Sequence, residues 1–155
     1  MTDVKYCLSC CDESQALGEM DLSTKLPADP ASGRPAAQLV IGTLDLNVGA
    51  KLPAEELVGR FPEEEAAGNR AYLSNVCVAR SARRRGVAQA LMLHAEQEAI
   101  KAGVRHLYVH VVHDNGPAVQ LYRQTLGFGL ESEESAAFAR TLERPRRLLL
   151  AKTLD

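Results

Sequence analysis

The chain has 155 residues, 46% of them hydrophobic and 25% charged, which are the proportions of an ordinary globular protein rather than a disordered chain. All its apolar runs are shorter than the roughly 18 residues that span a bilayer, so we expect no membrane segment. A net charge of −2 argues against a general nucleic-acid binder, because such domains usually carry a strong basic excess. The length fits one domain, which we place at residues 1–155.

The cysteines argue against a disulfide framework and against a metal site. Cys7, Cys10 and Cys11 crowd the N-terminus, and Cys77 falls within an apolar run. A closed zinc site needs four ligands, and the nearest histidine along the chain is His94. We therefore expect no metal. The first residues lack the features of a targeting peptide, so the sequence as it stands predicts a soluble intracellular protein.

The first half of the chain has a weak pattern, and residues 1–37 are the least defined. The stretch VKYCLSCCDE is consistent with a strand, and KLPADPASGRPAAQ with a loop. Apolar and polar residues alternate from Gln38 to Val48, which predicts a second strand. Residues 49–70 bring prolines, glycines and the acidic run Glu63 to Glu65, which indicate a long exposed excursion with at most one helical turn.

The pattern is clearer from Ala71 onward. Residues 71–79 alternate as a strand, with Tyr72, Ser74, Val76 and Val78 expected on one face.

Two helices and two more strands are predicted after it. Apolar positions at helical spacing begin at Val87, and Gly103 supplies the stop. A strand from His106 to Val112 is followed by a helix that has Pro117 in its first turn and reaches Leu126. A strand within RRLLLAKTL closes the chain. This order predicts a mixed α/β fold in which helices pack on a central sheet.

Three arginines, Arg83, Arg84 and Arg85, precede Gly86 where the strand gives way to the first helix. The first turn of a helix leaves about four N–H groups unpaired and carries about half a positive charge. A glycine lets the backbone approach a phosphate, and arginines add charge and forked hydrogen bonding. The residues fit a phosphate site, and taken alone they also fit a solvated basic loop.

This loop resembles the Q/R-x-x-G-x-G/A signature of the GNAT superfamily of acetyl-CoA-dependent N-acetyltransferases, with Arg83 to Ala88 in its place. Further on, HVVHDNGPAVQLYRQTLGF looks like the family's N-x-x-A-x-x-L-Y segment followed by G-F. The matching residues are Asn115, Ala118, Leu121, Tyr122, Gly127 and Phe128. The two motifs stand in the family's order. The resemblance implies a GNAT-like central sheet flanked by helices, with an acetyl-CoA-binding and catalytic core at residues 71–130.

The resemblance also implies roles for single residues. Backbone amides of the arginine loop and the helix start would hold the pyrophosphate of coenzyme A. Backbone groups of Val76 and Val78 would bind the pantetheine arm, and Asn115 would contact the cofactor near its thioester. The residues expected to bind acetyl-CoA are Val76, Val78, Arg83, Arg84, Arg85, Gly86, Val87, Ala88, Asn115 and Tyr122.

Catalysis by direct attack of an amine on the thioester needs an acid and a base. Tyr122 corresponds to the family's general acid, since a phenol beside the sulfur can protonate the leaving thiolate. His110 and Tyr72 resemble the pair that one N-terminal-acetyltransferase branch uses to deprotonate the amine through water. A neutral imidazole suits that task. His113 is the rival base, and the strand carboxylate that many members use is missing from YLSNVCV.

Two features depart from the family. Four residues, Arg123 to Leu126, separate Tyr122 from Gly127 where the family more often has three, so the end of that helix is expected to bulge. About 38 residues precede the second strand, too few for the family's strand and two helices, which predicts a shortened or trimmed N-terminal part.

The acceptor is less well defined. The chain looks most like the plastid-type GNAT proteins of plants and algae, which acetylate protein α-amines and lysines; the resemblance implies a chloroplast location and a protein or peptide partner. Deprotonating lysine costs roughly 3 kcal/mol more than deprotonating an α-amine, so a histidine base favours N-termini. Glu131, Glu133 and Glu134 follow the Gly127-Phe128 turn and are candidates to border the acceptor entrance.

Three alternatives stay open on the sequence. A small-molecule amine acetyltransferase would share every cofactor residue. A non-catalytic acyl-CoA-binding module would bind the cofactor without turnover. An RNA-binding protein that uses Arg83 to Arg85 and Arg144 to Arg147 is the weakest, because its basic clusters lack interleaved aromatic residues.

Overall fold

The computed structural model describes the backbone of residues 2–10, together with residues 39–49 and 69–155. Several expectations fall on residues outside this part of the chain. They are the loop KLPADPASGRPAAQ, the excursion that carries Glu63 to Glu65, and the shortened N-terminal part.

Six strands of the described chain form one sheet in the order β1-β2-β3-β4-β6-β5. They are β1 (Thr2–Cys10), β2 (Leu39–Val48), β3 (Arg70–Val78), β4 (His106–Val112), β5 (Gly129–Glu133) and β6 (Arg147–Thr153). Strands β3 and β4 run parallel, and the other neighbours in this order are antiparallel. A mixed sheet that carries helices confirms the predicted fold class.

The helices are α1 (Val87–Lys101), α2 (Gly116–Gln120), which continues into a π turn (Leu121–Thr125), and α3 (Ala136–Thr141). A 3₁₀ turn (Arg80–Ala82) precedes α1. Helix α1 and the π turn cover the same face of the sheet, because Leu91 and Tyr122 belong to one buried core with apolar side chains of the strands. Among the described residues, no helix is long and apolar enough to cross a membrane.

Helix α1 follows directly from its sequence. Its buried residues are Leu91, Met92, Ala95 and Ala99, which recur at the spacing of one helix face. Gly103 ends the helix in a left-handed conformation, with φ of 78°, and its amide bonds back to Ile100. The predicted start at Val87 and the predicted glycine stop are both confirmed.

The predicted strands are confirmed to within a few residues, but β5 and α3 were not predicted. The sequence of β5, GLESE, is polar and mostly exposed, so it lacks the apolar alternation that marks a strand. Helix α3 has only six residues and is capped by Ser135, whose hydroxyl accepts a hydrogen bond from the Phe138 amide at 3.1 Å. Such a short element has too few apolar positions to show a period.

Gly42 of β2 lets α1 lie close to the sheet. A Cβ atom at this position would stand 2.8 Å from Val87 Cγ1 and 3.0 Å from Leu91 Cδ1. Carbon atoms in ordinary contact are about 3.5 to 4 Å apart, so a larger residue would push the helix away. The glycine therefore fixes how closely the first turn of α1 approaches the strands.

Candidate active site

The sheet opens between β3 and β4. The two strands pair only from Arg70 and His106 to Leu73 and Val109. Beyond that point β3 stays paired with β2 and β4 stays paired with β6, as far as Val112 opposite Arg147. The two inner edges therefore separate and leave backbone groups free to meet a ligand.

A bulge in β3 lies beside this opening. Asp45 of β2 pairs with Ser74 and Thr43 pairs with Cys77, so two residues of β3 stand opposite one of β2. Asn75, one of the two, has a left-handed backbone with φ of 51°, and its Nδ2 donates to Asp45 Oδ2 at 2.6 Å. The extra residue shifts the pairing of β3 with β2 by one position.

Because of the bulge, the prediction that Tyr72 and Val76 share one face of β3 is wrong. Tyr72 belongs to a small cluster with Tyr108 and Leu149, whereas Val76 packs against the main core beneath the helices. Tyr72 and Val76 therefore lie on opposite faces, although a regular alternation would place them on the same one.

A cavity of about 710 Å³ begins at the opening and runs to the start of α1. Its lining comprises Val76, Cys77, Val78, Ala82, Arg83, Arg84, Gly86, Val87, Ala88, Gln89, Asn115, Pro117, Ala118, Leu121 and Tyr122. The structure thus brings together nearly all the residues that were predicted to bind the cofactor. Arg85 is the exception, since it is exposed and does not line the cavity.

One end of the cavity is suited to an anion. Arg84 and Gly86 both have a left-handed backbone, with φ of 62° and 80°, in the turn that leads into α1. Turns of this kind point successive N–H groups into one concavity, and the helix start adds further unpaired amides. No side chain caps the helix at Gly86. A Cβ at Gly86 would meet nothing within 4 Å, so its conformation rather than crowding by the protein explains the glycine.

Arg83 is tied to the end of β3. Its Nε donates a hydrogen bond to the Val78 carbonyl at 3.3 Å. The Ala79 amide, next in the chain, bonds to Ile41 of β2 at 2.8 Å. These bonds fasten the loop to the sheet, and Arg83 lines the same cavity as the helix start.

Tyr122, in the π turn, also lines the cavity. It is only 6% exposed, and burial, assisted by the nearby Cys77, raises the pKa of its phenol to about 12. No hydrogen bond to this hydroxyl is found within the described residues. A neutral phenol that faces a cavity can donate a hydrogen bond to a ligand atom there.

The residue added after Tyr122 produces the expected bulge. The Leu126 amide bonds to the Leu121 carbonyl at 3.0 Å, five residues back, which is the π pattern. The Phe128 amide bonds to the Tyr122 carbonyl at 2.9 Å, and the two aromatic rings lie 6.2 Å apart. The wide turn therefore holds Tyr122 in the core beside Phe128.

Asn115 lines the cavity and caps α2. Its side-chain oxygen accepts a hydrogen bond from the Ala118 amide at 3.4 Å. Beside this cap bond, Asn115 has its amide nitrogen and the second lone pair of its oxygen to offer to a ligand.

Tyr72 and His110 lie together, outside the lining of this cavity. Their rings stack with centroids 5.6 Å apart and an interplanar angle of 27°. Tyr72 is fully buried, and its hydroxyl has no hydrogen-bond partner in the described part of the chain. The pair flanks the point where β3 and β4 separate, on the side of the sheet away from Tyr122.

His113 has different surroundings from His110. Its Nδ1 lies 2.7 Å from Asp114 Oδ1, and its Nε2 lies 3.6 Å from Glu133 Oε1. Arg146 also pairs with Glu133. His113 is thus part of an exposed charged cluster where β4 ends.

The acidic residues near the end of the chain divide into two kinds. Glu134, expected at an entrance, is instead buried and accepts hydrogen bonds from Arg144 at 2.6 and 2.8 Å and from Arg147. Burial opposes its ionisation, but the hydrogen bonds outweigh that effect and lower the pKa of its carboxyl. Glu131 is exposed. The pKa of the Tyr108 phenol is raised first by the burial of Tyr108 and then by the negative charge of Glu131.

Sequence reasoning missed several lining residues. Cys77 and Gln89 had no assigned role, and Ala82 and Pro117 were not considered as part of the site. Cys77 could have been found, because it stands between the two valines that were assigned to the pantetheine arm. Gln89 could have been found from its place in the first turn of α1.

Comparisons with known proteins agree with this geometry. Residues 33–128 match the Acetyltransferase (GNAT) family. GCN5-related N-acetyltransferase 7, chloroplastic, of Arabidopsis thaliana is 45% identical over 114 residues, covering 73% of this chain and 41% of that protein. The N-terminal acetyltransferase A complex catalytic subunit ard1 of Schizosaccharomyces pombe is 33% identical over 69 residues, covering 44% and 39%.

Solved structures show the same fold. Arabidopsis thaliana NAA60 in complex with a bisubstrate analogue superposes with a TM-score of 0.59 at 20% identity, over 79% of this chain and 71% of that one. The chain spans about two fifths of the length of the curated relatives above. The family match covers more than half of the chain, and the protein belongs to the GNAT family of acetyltransferases.

Proposed function

We propose that this acetyltransferase transfers acetyl groups from acetyl-CoA to the α-amines of protein or peptide N-termini, with lysine side chains as slower acceptors. The observation that carries the proposal is one cavity that joins the anion-binding turn at Gly86 to the phenol of Tyr122. A co-substrate with a pyrophosphate at one end and a thioester at the other fits that span.

The cavity wall supplies a group for each part of acetyl-CoA. The turn at Arg84 and Gly86 and the first amides of α1 bind the pyrophosphate. The edge of β3 that no longer pairs with β4 offers backbone groups of Val76 and the amide of Val78 to the pantetheine arm, while the Val78 carbonyl accepts from Arg83 Nε at 3.3 Å. The cavity of about 710 Å³ lies in the usual range for sites of small ligands.

Tyr122 stabilises the leaving sulfur. A phenol with a pKa of about 12 stays protonated at neutral pH, so it is always available as a donor. A thiol has a pKa near 8.5, so full proton transfer from this phenol to the thiolate is uphill. We therefore assign Tyr122 the task of a hydrogen-bond donor to the developing thiolate, and the attacking nitrogen supplies the proton that the thiolate finally takes.

His110 and Tyr72 serve the acceptor. They lie on the side of the sheet away from Tyr122 and flank the point where the strands separate. An amine that enters from that side meets the thioester through the opening. A neutral imidazole there can take the ammonium proton through a water molecule, with the stacked tyrosine to orient it.

An α-amine is the better acceptor for such a base. Its reference pKa is near 8, against about 10.4 for lysine, so deprotonation costs roughly 3 kcal/mol less. The name of the yeast relative, a catalytic subunit of an N-terminal acetyltransferase, agrees with this choice. The chloroplastic Arabidopsis relative supports a plastid location, and fluorescence of the tagged full-length protein in plant cells tests it.

The function is tested with a peptide that carries a free α-amine and an internal lysine. The protein and acetyl-CoA are added, and mass spectrometry locates each acetyl group. We expect the α-amine to be acetylated first, and Tyr122→Phe to lower the rate about 100-fold. Thr141→Val is the control, because it removes a hydroxyl that donates to the Ala137 carbonyl at 3.1 Å and does not line the cavity.

Other outcomes contradict the proposal in distinct ways. Preferred acetylation of the lysine would make the protein a lysine acetyltransferase. Turnover of small amines with none of the peptide would point to a small-molecule acceptor. Binding of coenzyme A without any turnover would identify a binding module.

A further inference from the structure

The bulge of β3 decides which side chains and backbone groups face the cavity. With Ser74 opposite Asp45, a regular ladder would place Cys77 opposite Gly42. The bulge instead places Val78 there, on the face where α1 packs. A slip of one residue exchanges the two faces of a strand, so without the bulge Val76 and Val78 would turn away from the helices.

The bulge depends on one strained residue and one side-chain contact. Asn75 adopts a φ of 51°, which L-residues rarely take, although asparagine tolerates it better than most. Its amide nitrogen donates to the Asp45 carboxylate at 2.6 Å, a short and charge-assisted bond between neighbouring strands. The two residues are 30 positions apart in the chain, so the contact exists only when β2 and β3 are in register.

We propose that Asp45 and Asn75 are positioning residues, a side-chain latch that fixes the bulge and thereby sets the affinity of the cavity for coenzyme A. The inference rests on the proposed function, because it assigns the latch to the same cavity. Neither side chain lines the cavity. The latch acts through the backbone of Val76 and Val78.

A rival role for Asp45 makes a different prediction. Strand β3 lacks the carboxylate that could deprotonate an amine, and Asp45 brings one to its edge from β2. A base must keep its charge, whereas a latch needs only a hydrogen bond to Asn75. Asp45→Asn separates the two roles, since it keeps the hydrogen bond and removes the charge.

The experiment measures the Kd of coenzyme A by calorimetry and the separate kcat and KM for acetyl-CoA. Asn75→Asp sets two carboxylates against each other, and we expect it to raise Kd and KM about tenfold, with kcat changed less than threefold. The exchanged pair Asp45→Asn with Asn75→Asp rebuilds the bond in the opposite direction and is expected to restore Kd to within about twofold.

The matched control is Glu98→Ala, which breaks the exposed bond of 2.6 Å between Glu98 and Lys101, away from the cavity. It is expected to leave Kd and kcat unchanged. Thermal unfolding of every variant is recorded, so that loss of the fold is distinguished from loss of the bulge.

Each outcome decides the question. A wild-type protein that does not bind coenzyme A overturns the proposed function, and the latch with it. Wild-type binding with an unchanged Kd in Asn75→Asp overturns the latch alone. A collapse of kcat in Asp45→Asn, together with loss of the acidic limb of the pH profile, where activity rises as a base loses its proton, overturns the latch in favour of a base.

Discussion

The two edges of strand β4 are built differently. One edge pairs with β6 from His106 to Val112, along its whole length. The other pairs with β3 only as far as Val109 and then opens into the cavity. The same strand therefore carries a closed edge that holds the fold and an open edge that offers backbone groups to a ligand.

Different residues secure the two edges. Beyond the closed edge, buried Glu134 binds Arg144 and Arg147 and fastens the connection between β5 and β6. Beside the open edge, the bulge at Asn75 and the close approach of α1 at Gly42 shape the cavity. We therefore expect changes at the closed edge to lower stability, and changes at the open edge to lower ligand binding.

The largest effect is expected at the closed edge. Glu134→Ala leaves two arginines without their buried partner, and we expect it to lower the free energy of unfolding by about 3 kcal/mol. Chemical denaturation measures the loss. The lowered pKa of Glu134 stabilises the fold above about pH 4.3, so the stability difference between wild type and variant should shrink as the pH falls below that value.

The neighbouring glutamate is the control for that experiment. Glu133 also pairs with an arginine, Arg146, but the Glu133 side chain is 40% exposed, against 1% for Glu134. Exposed pairs contribute less than about 1 kcal/mol, so Glu133→Ala should cost little. If the free energy of unfolding falls equally in Glu134→Ala and Glu133→Ala, the buried ion pair is no more stabilising than the exposed one.

A smaller effect is expected from Gly42→Ala at the open edge. The added methyl group would stand 2.8 Å from Val87 and must move the start of α1. We expect a loss of about 1 to 2 kcal/mol in stability and a severalfold weaker binding of coenzyme A. Gly129→Ala is the control, because a Cβ there meets only the Ala151 carbonyl, at 3.8 Å. If Gly42→Ala binds coenzyme A as tightly as the wild type, the position of α1 does not determine the affinity of the cavity.

The thiol of Cys77 reports on the open edge without a mutation. It is a free and exposed cysteine in the cavity wall. Saturating coenzyme A should slow its alkylation by iodoacetamide about tenfold, since a ligand that covers the thiol excludes the reagent. Peptide mapping by mass spectrometry follows Cys77 alone, and adenosine monophosphate serves as the control ligand. An unprotected Cys77 at full occupancy would place the ligand elsewhere.

The smallest effect concerns pH. The pKa of Tyr122 is raised because burial favours the neutral phenol. The contribution of this phenol to the stability of the fold is therefore complete below about pH 10 and is lost as the pH rises through about 12. The value of kcat/KM should therefore rise as the amine loses its proton and stay level to about pH 10. A fall in wild-type activity between pH 8 and 10, absent in Tyr122→Phe, would contradict this.

Local signals in the sequence predicted the elements whose causes are local. Helix α1 has its apolar face and its glycine stop within one segment, and the π turn follows from one extra residue after Tyr122. The bulge was missed, because the conformation of Asn75 depends on a partner 30 residues away. The buried network of Glu134 was missed for the same reason, since its arginines lie 10 and 13 residues further on and meet it only after β5 pairs with β6.

The bulge also bears on aggregation. An unpaired strand edge is a template on which another chain can add a strand, and the opening between β3 and β4 exposes two such edges. A strand with a left-handed residue cannot continue a regular ladder, so Asn75 interrupts the β3 edge just where its pairing with β4 ends. The distortion that opens the sheet to a small ligand thereby hinders its extension by another protein chain.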